Sequence, residues 1–355
     1  MARARVFSVG LVGFGHGGAV FHAPLIDAAP RLTLAAIVTT DPERRALAAR
    51  RYPGAKIVPR VEVLLEGPSR VDLLVVAAPN RFHVPLAIAA IDADVSAVVD
   101  KPLAPTSAEA LMLIERAARQ GVMLSVFHNR RWDGDFLTVQ RLIQGGALGS
   151  IIRFESRYER WRPVPRQTWR EHAAPEDAGG LLVDLGSHLI DQTLVLFGPV
   201  RAVYAEVDRR RAGGQVDDDV FAALTHASGV RAHIWTSNLA GQPAPRMRAL
   251  GTNATFVKWG LDVQEDALRA GAKPGGTGWG EEPETAWGRL GYEEATRLIR
   301  TEPGAYQRFY DGIVRALEGA APPPVAPVDA VTGLKVIEAA RLSSSTARVV
   351  EVAPG

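Results

Sequence analysis

The chain has 355 residues, 47% of them hydrophobic and 23% charged, with a formal net charge of +2. That length predicts two domains and a core that needs no staples, while the charge is too slight to suggest a nucleic-acid partner. There is no cysteine, which excludes disulfides, thiolate metal sites and a cysteine nucleophile.

No apolar run approaches the roughly 18 residues needed to span a membrane. Met1 to Arg5 is short and basic, and the apolar run behind it resembles a signal segment. A glycine turn begins a few residues later, and cleavage there would remove the first strand. We therefore read a strand and expect a cytoplasmic protein. That strand, Val6 to Val12, is predicted to be buried and parallel, with a helix from about Gly18 to Ala29 despite Pro24. Leu32 to Thr39 reads as a strand. Pro42 to Arg51 reads as a helix, with Asp41 as N-cap and Pro42 at the first helical position. Then come a strand at Val71 to Ala78, a helix at Pro85 to Ile91 and a strand at Val95 to Val99. A helix at Ser107 to Arg119 and a strand at Met123 to Phe127 follow. Alternating strand and helix up to residue 128 predict a parallel sheet with helices on both faces.

From residue 129 to 355 the rhythm changes. Ile151 to Tyr158, Val200 to Val207, Val220 to Thr225, Val230 to Thr236 and Arg246 to Gly251 read as strands with little helix between them. This predicts an α+β second domain with a mostly antiparallel sheet. Gly271 to Gly280 reads as a loop, and Ala321 to Pro327 as a linker before a last helix at about Val328 to Ser345.

Between the first strand and first helix stands Gly13-Phe14-Gly15-His16-Gly17-Gly18. Gly13, Gly15 and Gly18 fit the G-x-G-x-x-G spacing in the required strand-to-helix context. Gly13 would allow the tight turn, Gly15 the approach of a pyrophosphate, and Gly18 close packing of helix on strand. The helix N-terminus would offer free N–H groups to the phosphates. The alternative is a glycine-rich turn without a ligand. The second strand ends in Thr39 and Thr40, where an NAD enzyme usually has an acid, and Arg44 and Arg45 follow within one helical turn. These favour NADP, because a guanidinium makes charge-assisted bonds to a 2′-phosphate. In the other reading, Asp41 holds a ribose hydroxyl of NAD and the arginines face solvent.

Two further features carry chemistry. Asp100-Lys101-Pro102 ends the fifth strand, where ligands of open α/β sheets bind. Asp184 and His188, four apart in an otherwise apolar helix, share one face. They read equally well as a catalytic pair or as a helix-starting Asp and a satisfied core histidine. No third ligand of obvious spacing accompanies them, so we expect no metal. In the catalytic reading His188 is the base for a secondary alcohol, Asp184 orients it, and Lys101 hydrogen-bonds the same oxygen. A nicotinamide takes the hydride.

The glycine turn, Asp-Lys-Pro and the helix from Gly179-Gly180 through Asp184 to His188, in that order, resemble the Gfo/Idh/MocA oxidoreductases. The resemblance implies a Rossmann domain followed by an open α/β domain, and dehydrogenation of sugars or cyclitols. The family's usual motif is Glu-Lys-Pro, so Asp100 is a departure that keeps Lys101. The stretches Val20 to Leu25, Asn129 to Asp133, Asp184 to Gly198 and Gln264 to Leu268 are similar to the branch that includes NADP-dependent scyllo-inositol dehydrogenases. The resemblance also implies that Pro79, Asn80 and His83 line the cofactor cleft. It further implies a cis peptide before Pro102 and a homodimer or homotetramer formed through the second sheet. Candidates for contact with a polyol are His22, His128, Tyr158, Arg160, Trp161 and Arg166. The same fold acting on an aldose, a sugar nucleotide or a dihydrodiol is the alternative, as is a non-catalytic NADP-binding sensor.

Overall fold

A computed structural model describes residues 5–166, 168, 171 and 177–353, and the basic opening at residues 1–4 lies outside them. The run after Arg5 is strand β1 (Phe7–Val12), buried because both neighbours in its sheet are parallel strands that helices cover. Next come α1 (Ala23–Ala28), β2 (Leu32–Val38), α2 (Pro42–Arg51), β3 (Lys56–Val58) and β4 (Leu73–Val76). They are followed by α3 (His83–Asp92), β5 (Ser96–Asp100), α4 (Ser107–Gln120) and β6 (Leu124–Phe127). The six strands are all parallel, in the order β3-β2-β1-β4-β5-β6. The order reverses between β1 and β4, which places the ligand crevice beyond the C-terminal ends of those strands.

The expected helix around Pro24 is two pieces. Gly17–His22 is a π-helix, and Pro24 lies in the first turn of α1, where its missing N–H costs nothing. Asp41 caps α2 as expected, its carboxylate accepting the Arg44 N–H at 2.9 Å with Pro42 at the first helical position. Strand β3 has no counterpart in the sequence reading, because three half-exposed residues carry no alternation.

The second sheet begins after α5 (Gly134–Gln144) with β7 (Ile151–Glu159), and α6 (Ser187–Phe197) follows. Then come β8 (Val200–Asp208), β9 (Asp219–His226), β10 (Arg231–Ser237), β11 (Met247–Gly251) and β12 (Thr255–Lys258). A short helix α7 (Gln264–Arg269) precedes the hairpin β13 (Gly288–Tyr292) and β14 (Ala295–Ile299). The chain ends in α8 (Gln307–Leu317), α9 (Pro327–Thr346) and β15 (Val350–Glu351). The nine strands run β14-β13-β12-β11-β7-β10-β9-β8-β15, with only β7 and β10 parallel. All five expected strands are present. The hairpin, β12 and helices α5, α7 and α8 were not anticipated. The cluster Phe136, Val139, Phe154, Phe197, Met247 and Phe256 packs α5 and α6 against one face of this sheet. The edge of β8 is closed by α9, whose Ser343 and Ser344 hydroxyls accept the Ala205 and Val207 N–H groups at 3.0 Å.

The chain forms two compact units. One comprises residues through Asn129 with Gln264–Trp279 and Ala305–Ala330; the other comprises Arg130–Val263, Gly280–Gly304 and the chain from Val331. The change of rhythm near residue 128 marks the first exit of the chain, which later returns twice to the first unit. There α8 buries Phe309, Tyr310, Ile313 and Val314, and Gln264 of α7 accepts the Tyr306 N–H at 2.7 Å. No helix among the described residues is long and apolar enough to cross a membrane.

Candidate active site

In the first unit the glycine turn is pressed against its surroundings. Gly13 has φ +94°, and a Cβ there would lie 2.5 Å from the Ala77 carbonyl oxygen beyond β4. At Gly18 a Cβ would lie 2.0 Å from the Gly13 oxygen. At Gly15 a Cβ would meet no backbone within 4 Å; its nearest neighbour is the Arg44 guanidinium at 3.6 Å. The turn is thus closed towards the sheet and open at Gly15, with an arginine over the opening. This suits a pyrophosphate approaching backbone N–H groups. Phe14 is buried with its ring edge-on to Tyr52, while His16 bonds Arg269 at 3.2 Å and approaches Glu265 at 3.5 Å on α7.

At the exit of β2, Thr39 is buried and Thr40 exposed. Asp41 is engaged as the α2 cap, which removes support from the reading in which it holds a ribose hydroxyl. Arg45 donates to the Thr39 carbonyl at 3.4 Å and so braces the strand end, whereas the Arg44 side chain is 54% exposed. Beyond β4, Pro79 caps the short helix Asn80–Phe82, in which Asn80 is buried.

At the exit of β5 the Lys101–Pro102 peptide is cis, as the resemblance implies. Asp100 Oδ1 accepts the Lys101 N–H at 2.8 Å, and its Oδ2 lies 2.8 Å from the place of a Gly17 Cβ. His83 is buried, with Nδ1 2.7 Å from the Pro102 oxygen and Nε2 2.9 Å from the Ala78 oxygen. A neutral ring carries one N–H, so His83 donates to one of these two carbonyls and braces the backbone beside Lys101 from within.

His22 is placed differently from expectation. It is wholly buried, with Nδ1 2.7 Å from the Tyr310 hydroxyl and its ring packed on Phe127 at 4.2 Å, so no substrate can touch it. Burial lowers its pKa from the model-compound 6.5 to about 4, against an opposing pull from Asp100. His128 is buried to the same degree as His188, with 6% of its surface exposed.

In the second unit, Asp184 lies in a π-helix, Leu182–Gly186, that leads directly into α6. His188 stands in the first turn of α6 and is buried, whereas Asp184 is partly exposed. Both helices that carry a sequence motif thus open with a π-helical segment, a form that recurs at functional sites. Gly180 precedes the second one at φ +95°, and a Cβ there would strike Asp217 Oδ1 at 2.0 Å. Asp217 caps this helix: its carboxylate accepts the Leu182 N–H at 2.7 Å and its carbonyl the Leu181 N–H at 3.0 Å. Burial pushes the Asp217 carboxyl up, and the Leu182 bond opposes this. Sequence reasoning missed Asp217, although three consecutive aspartates after Gly213-Gly214 mark the place.

Tyr158 lies near the end of β7 in the same unit, and Arg160 just beyond it. Arg130 donates to the Tyr158 hydroxyl at 3.2 Å, and Arg160 Nε donates to Asn238 at 2.7 Å. Burial lowers the Arg160 pKa while Asp184 and Tyr158 raise it, so these three form one electrostatic group. Trp161, 60% exposed, bridges to Leu239, and Arg166 is exposed with its N–H on Glu171 at 2.8 Å. Lys101 belongs to the first unit, Asp184 and His188 to the second.

The parallel sheet with its glycine turn, followed by a second unit on a mostly antiparallel sheet, is the arrangement of an NAD(P)-dependent oxidoreductase. Residues 7–128 match the NAD-binding Rossmann fold of the GFO_IDH_MocA oxidoreductase family, and residues 140–352 match its C-terminal alpha/beta domain. The chain belongs to the Gfo/Idh/MocA oxidoreductases. It is 36% identical over 352 residues to scyllo-inositol 2-dehydrogenase (NADP(+)) IolW of Bacillus subtilis, covering 98% of this chain and 96% of that protein. It is also 36% identical over 332 residues to the uncharacterized oxidoreductase YdgJ of Escherichia coli, covering 93% and 94%. The solved structure of the oxidoreductase yvaA from Bacillus subtilis superposes with a TM-score of 0.93 at 34% identity, over 99% of this chain and 100% of the other.

The burial of His22 has a consequence for stability. In the unfolded chain it titrates near 6.5, and in the folded chain near 4. The unfolded state therefore binds more protons between those values. This contribution is fully present above pH 6.5 and is lost as pH falls towards 4. His83 and His226, also lowered by burial, act in the same direction. Chemical denaturation of wild type and His22→Gln at neutral pH and near pH 4.5 should show a smaller acid loss in the variant. An unchanged acid loss would remove His22 from the account.

Proposed function

We propose that the chain oxidises one secondary alcohol of a cyclitol or sugar, or reduces the matching ketone, with NADP as hydride partner. Scyllo-inositol and its inosose are the favoured pair. What carries this reading is that one chain holds Lys101 at the exit of β5 in its first unit and, in its second, Asp184 in the π-helix before α6 and His188 in the first turn of α6. They stand in a chain that aligns almost end to end with an NADP-dependent scyllo-inositol dehydrogenase.

The residues fit the dinucleotide. The open side of the turn at Gly15 receives the pyrophosphate, the N–H groups of residues 15–18 surround it, buried Phe14 anchors the turn from behind, and Asn80 lies beyond the neighbouring strand. Thr39, Thr40 and Arg44 meet the 2′-phosphate, and Arg45 holds Thr39 in place. The nicotinamide, when bound, supplies the hydride chemistry. The chain supplies the rest: His188 takes the hydroxyl proton in oxidation and returns it in reduction, since imidazole is the side chain whose ordinary pKa suits that task near neutrality. Asp184 stabilises the charged ring, and the Arg160 guanidinium is attracted to that carboxylate. Lys101 is the candidate donor that the first unit supplies to a polyol hydroxyl. Tyr158, Arg160, Trp161 and Arg166 supply donors to the remaining hydroxyls. The outward face of the second sheet supports association with another copy of the chain. There Trp235 stacks near Phe221 at 5.1 Å under the Arg157 guanidinium, and Glu155 is ringed by Arg153, Arg157 and Arg248.

A panel of cyclitols and aldoses with NADP and NAD tests the substrate, with scyllo- or myo-inositol expected to reduce NADP. Lys101→Ala and His188→Ala should each lower kcat by about 100-fold or more while cofactor still binds. Turnover of no polyol, or full activity in either variant, would sink the reading. Arg44→Ala should raise the KM for NADP about tenfold or more and leave that for NAD nearly unchanged. Equal effects on both cofactors would remove the phosphate contact. Analytical ultracentrifugation at micromolar concentration should give a dimer or tetramer that Trp235→Glu dissociates; a monomeric wild type would refute the pairing.

A further inference from the structure

Behind Lys101 lies a row of buried polar groups that the chemistry above does not use. Tyr310, on α8, is wholly buried, and its hydroxyl lies 2.7 Å from His22 Nδ1. The other ring nitrogen of His22, Nε2, has no hydrogen-bond partner among the described residues and lies 3.9 Å from Asp100 Oδ2. The second oxygen of Asp100 accepts the Lys101 N–H at 2.8 Å. Phe127 fixes the plane of the His22 ring at 4.2 Å.

The tautomer of His22 follows from electrostatics. Burial keeps the ring neutral, so one nitrogen carries a proton. If Nδ1 carried it, the buried Nε2 would point a bare lone pair at a carboxylate that is only 18% exposed, which is repulsive. If Tyr310 donates its proton to Nδ1 instead, Nε2–H faces Asp100 and attracts it. Burial holds Tyr310 well above its usual pKa, so the phenol keeps the proton it must donate. His83 does not compete for Asp100, because its two nitrogens face the Pro102 and Ala78 carbonyls. The separation of 3.9 Å is longer than a hydrogen bond, so the Asp100 carboxylate has to turn towards His22 to complete it. Catalytic hydrogen bonds commonly tighten in this way when ligands are in place. The absence of a side chain at position 17 leaves room for the movement, since a Cβ there would lie 2.8 Å from Oδ2.

We propose that Tyr310, His22 and Asp100 form a buried hydrogen-bond relay that positions Lys101, an inference that rests on the role given to Lys101 above. All three are positioning residues and none touches substrate. The relay gives a reason for aspartate where the family usually has glutamate: the shorter side chain turns back to its own neighbouring N–H and leaves its other oxygen towards His22.

Two measurements test it. Nitrogen-15 NMR of the whole chain labelled at histidine should show His22 protonated at Nε2 in wild type and a changed tautomer balance in Tyr310→Phe. Steady-state kinetics should show kcat lowered roughly tenfold in His22→Phe and Tyr310→Phe with little change in KM for cofactor or polyol. His22→Gln, which keeps a donor facing Asp100, should retain most of the activity. A proton on Nδ1 in wild type, or full kcat in Tyr310→Phe and His22→Phe, would overturn the relay. Equal losses in His22→Gln and His22→Phe would also overturn it, since the role would then be packing alone. The two readings fail separately. Absence of polyol turnover in wild type counts against the proposed function, whereas the tautomer is read without any substrate.

Discussion

The first unit depends on how closely the backbone passes itself between β1 and the helix that follows. The Gly13 carbonyl occupies the space a side chain at Gly18 would need, and Ala77 beyond β4 occupies the space a side chain at Gly13 would need. Gly17 faces the Asp100 carboxylate from β5 in the same way. The exits of β1, β4 and β5 therefore converge on one turn, and any Cβ added there drives them apart. Only at Gly15 does the backbone face open space, which is where a phosphate needs to come. The π-helical start at Gly17 then carries His22 to the back of Asp100. Cofactor turn and lysine support are thus set by the same few close contacts.

The second unit solves a different problem, how to hold a polar pair in an apolar helix. It does so with buried ion pairs. Arg246 meets Asp135 at 3.3 Å, the Ser156 hydroxyl at 2.6 Å and Gln192 at 3.2 Å. Arg131 grips Asp191 of α6 through two bonds of 2.6 and 2.9 Å, and Gln192 donates to the Arg130 carbonyl at 2.8 Å. Burying such charges is unfavourable by itself, and removing one partner of a buried pair costs about 3–5 kcal/mol. Against a typical domain stability of about 5–15 kcal/mol, each of these arginines is a large term. Their common effect is to lock α5, α6 and β7 in one arrangement, so that Asp184, His188 and Tyr158 are held by rigid elements.

The elements legible in the sequence are those whose pattern is local. The apolar parallel strands, the Asp41-Pro42 helix start and the strand-end Lys101 are all present, because each depends on a few neighbouring residues. Strand β3 was not legible, being three residues long. Nor was the hairpin β13–β14, whose outer strand is largely exposed and shows no apolar face. Asp184 and His188 could be paired from their spacing, but their cap, Asp217, lies more than 30 residues along the chain. In the sequence His22 is one of several polar residues that could serve the many hydroxyls of a polyol. Its burial comes from Phe127 and Tyr310, and Tyr310 is 288 residues away in sequence. Long-range burial of a polar residue has no local signature.

The two late returns of the chain to the first unit have a consequence for the order in which the protein is made. A chain emerging from the ribosome offers its N-terminal part first, and such parts usually fold as they appear. Here β6 with Phe127, and His22 before it, are complete long before α8 brings Phe309 and Tyr310 to cover them. During that interval an aromatic patch and a buried histidine's future site stand open to water. The Rossmann sheet can form early, but its surface finishes only after the strands of the second sheet from β7 to β14 have been synthesised. The first unit is thus begun before the second and closed after most of it.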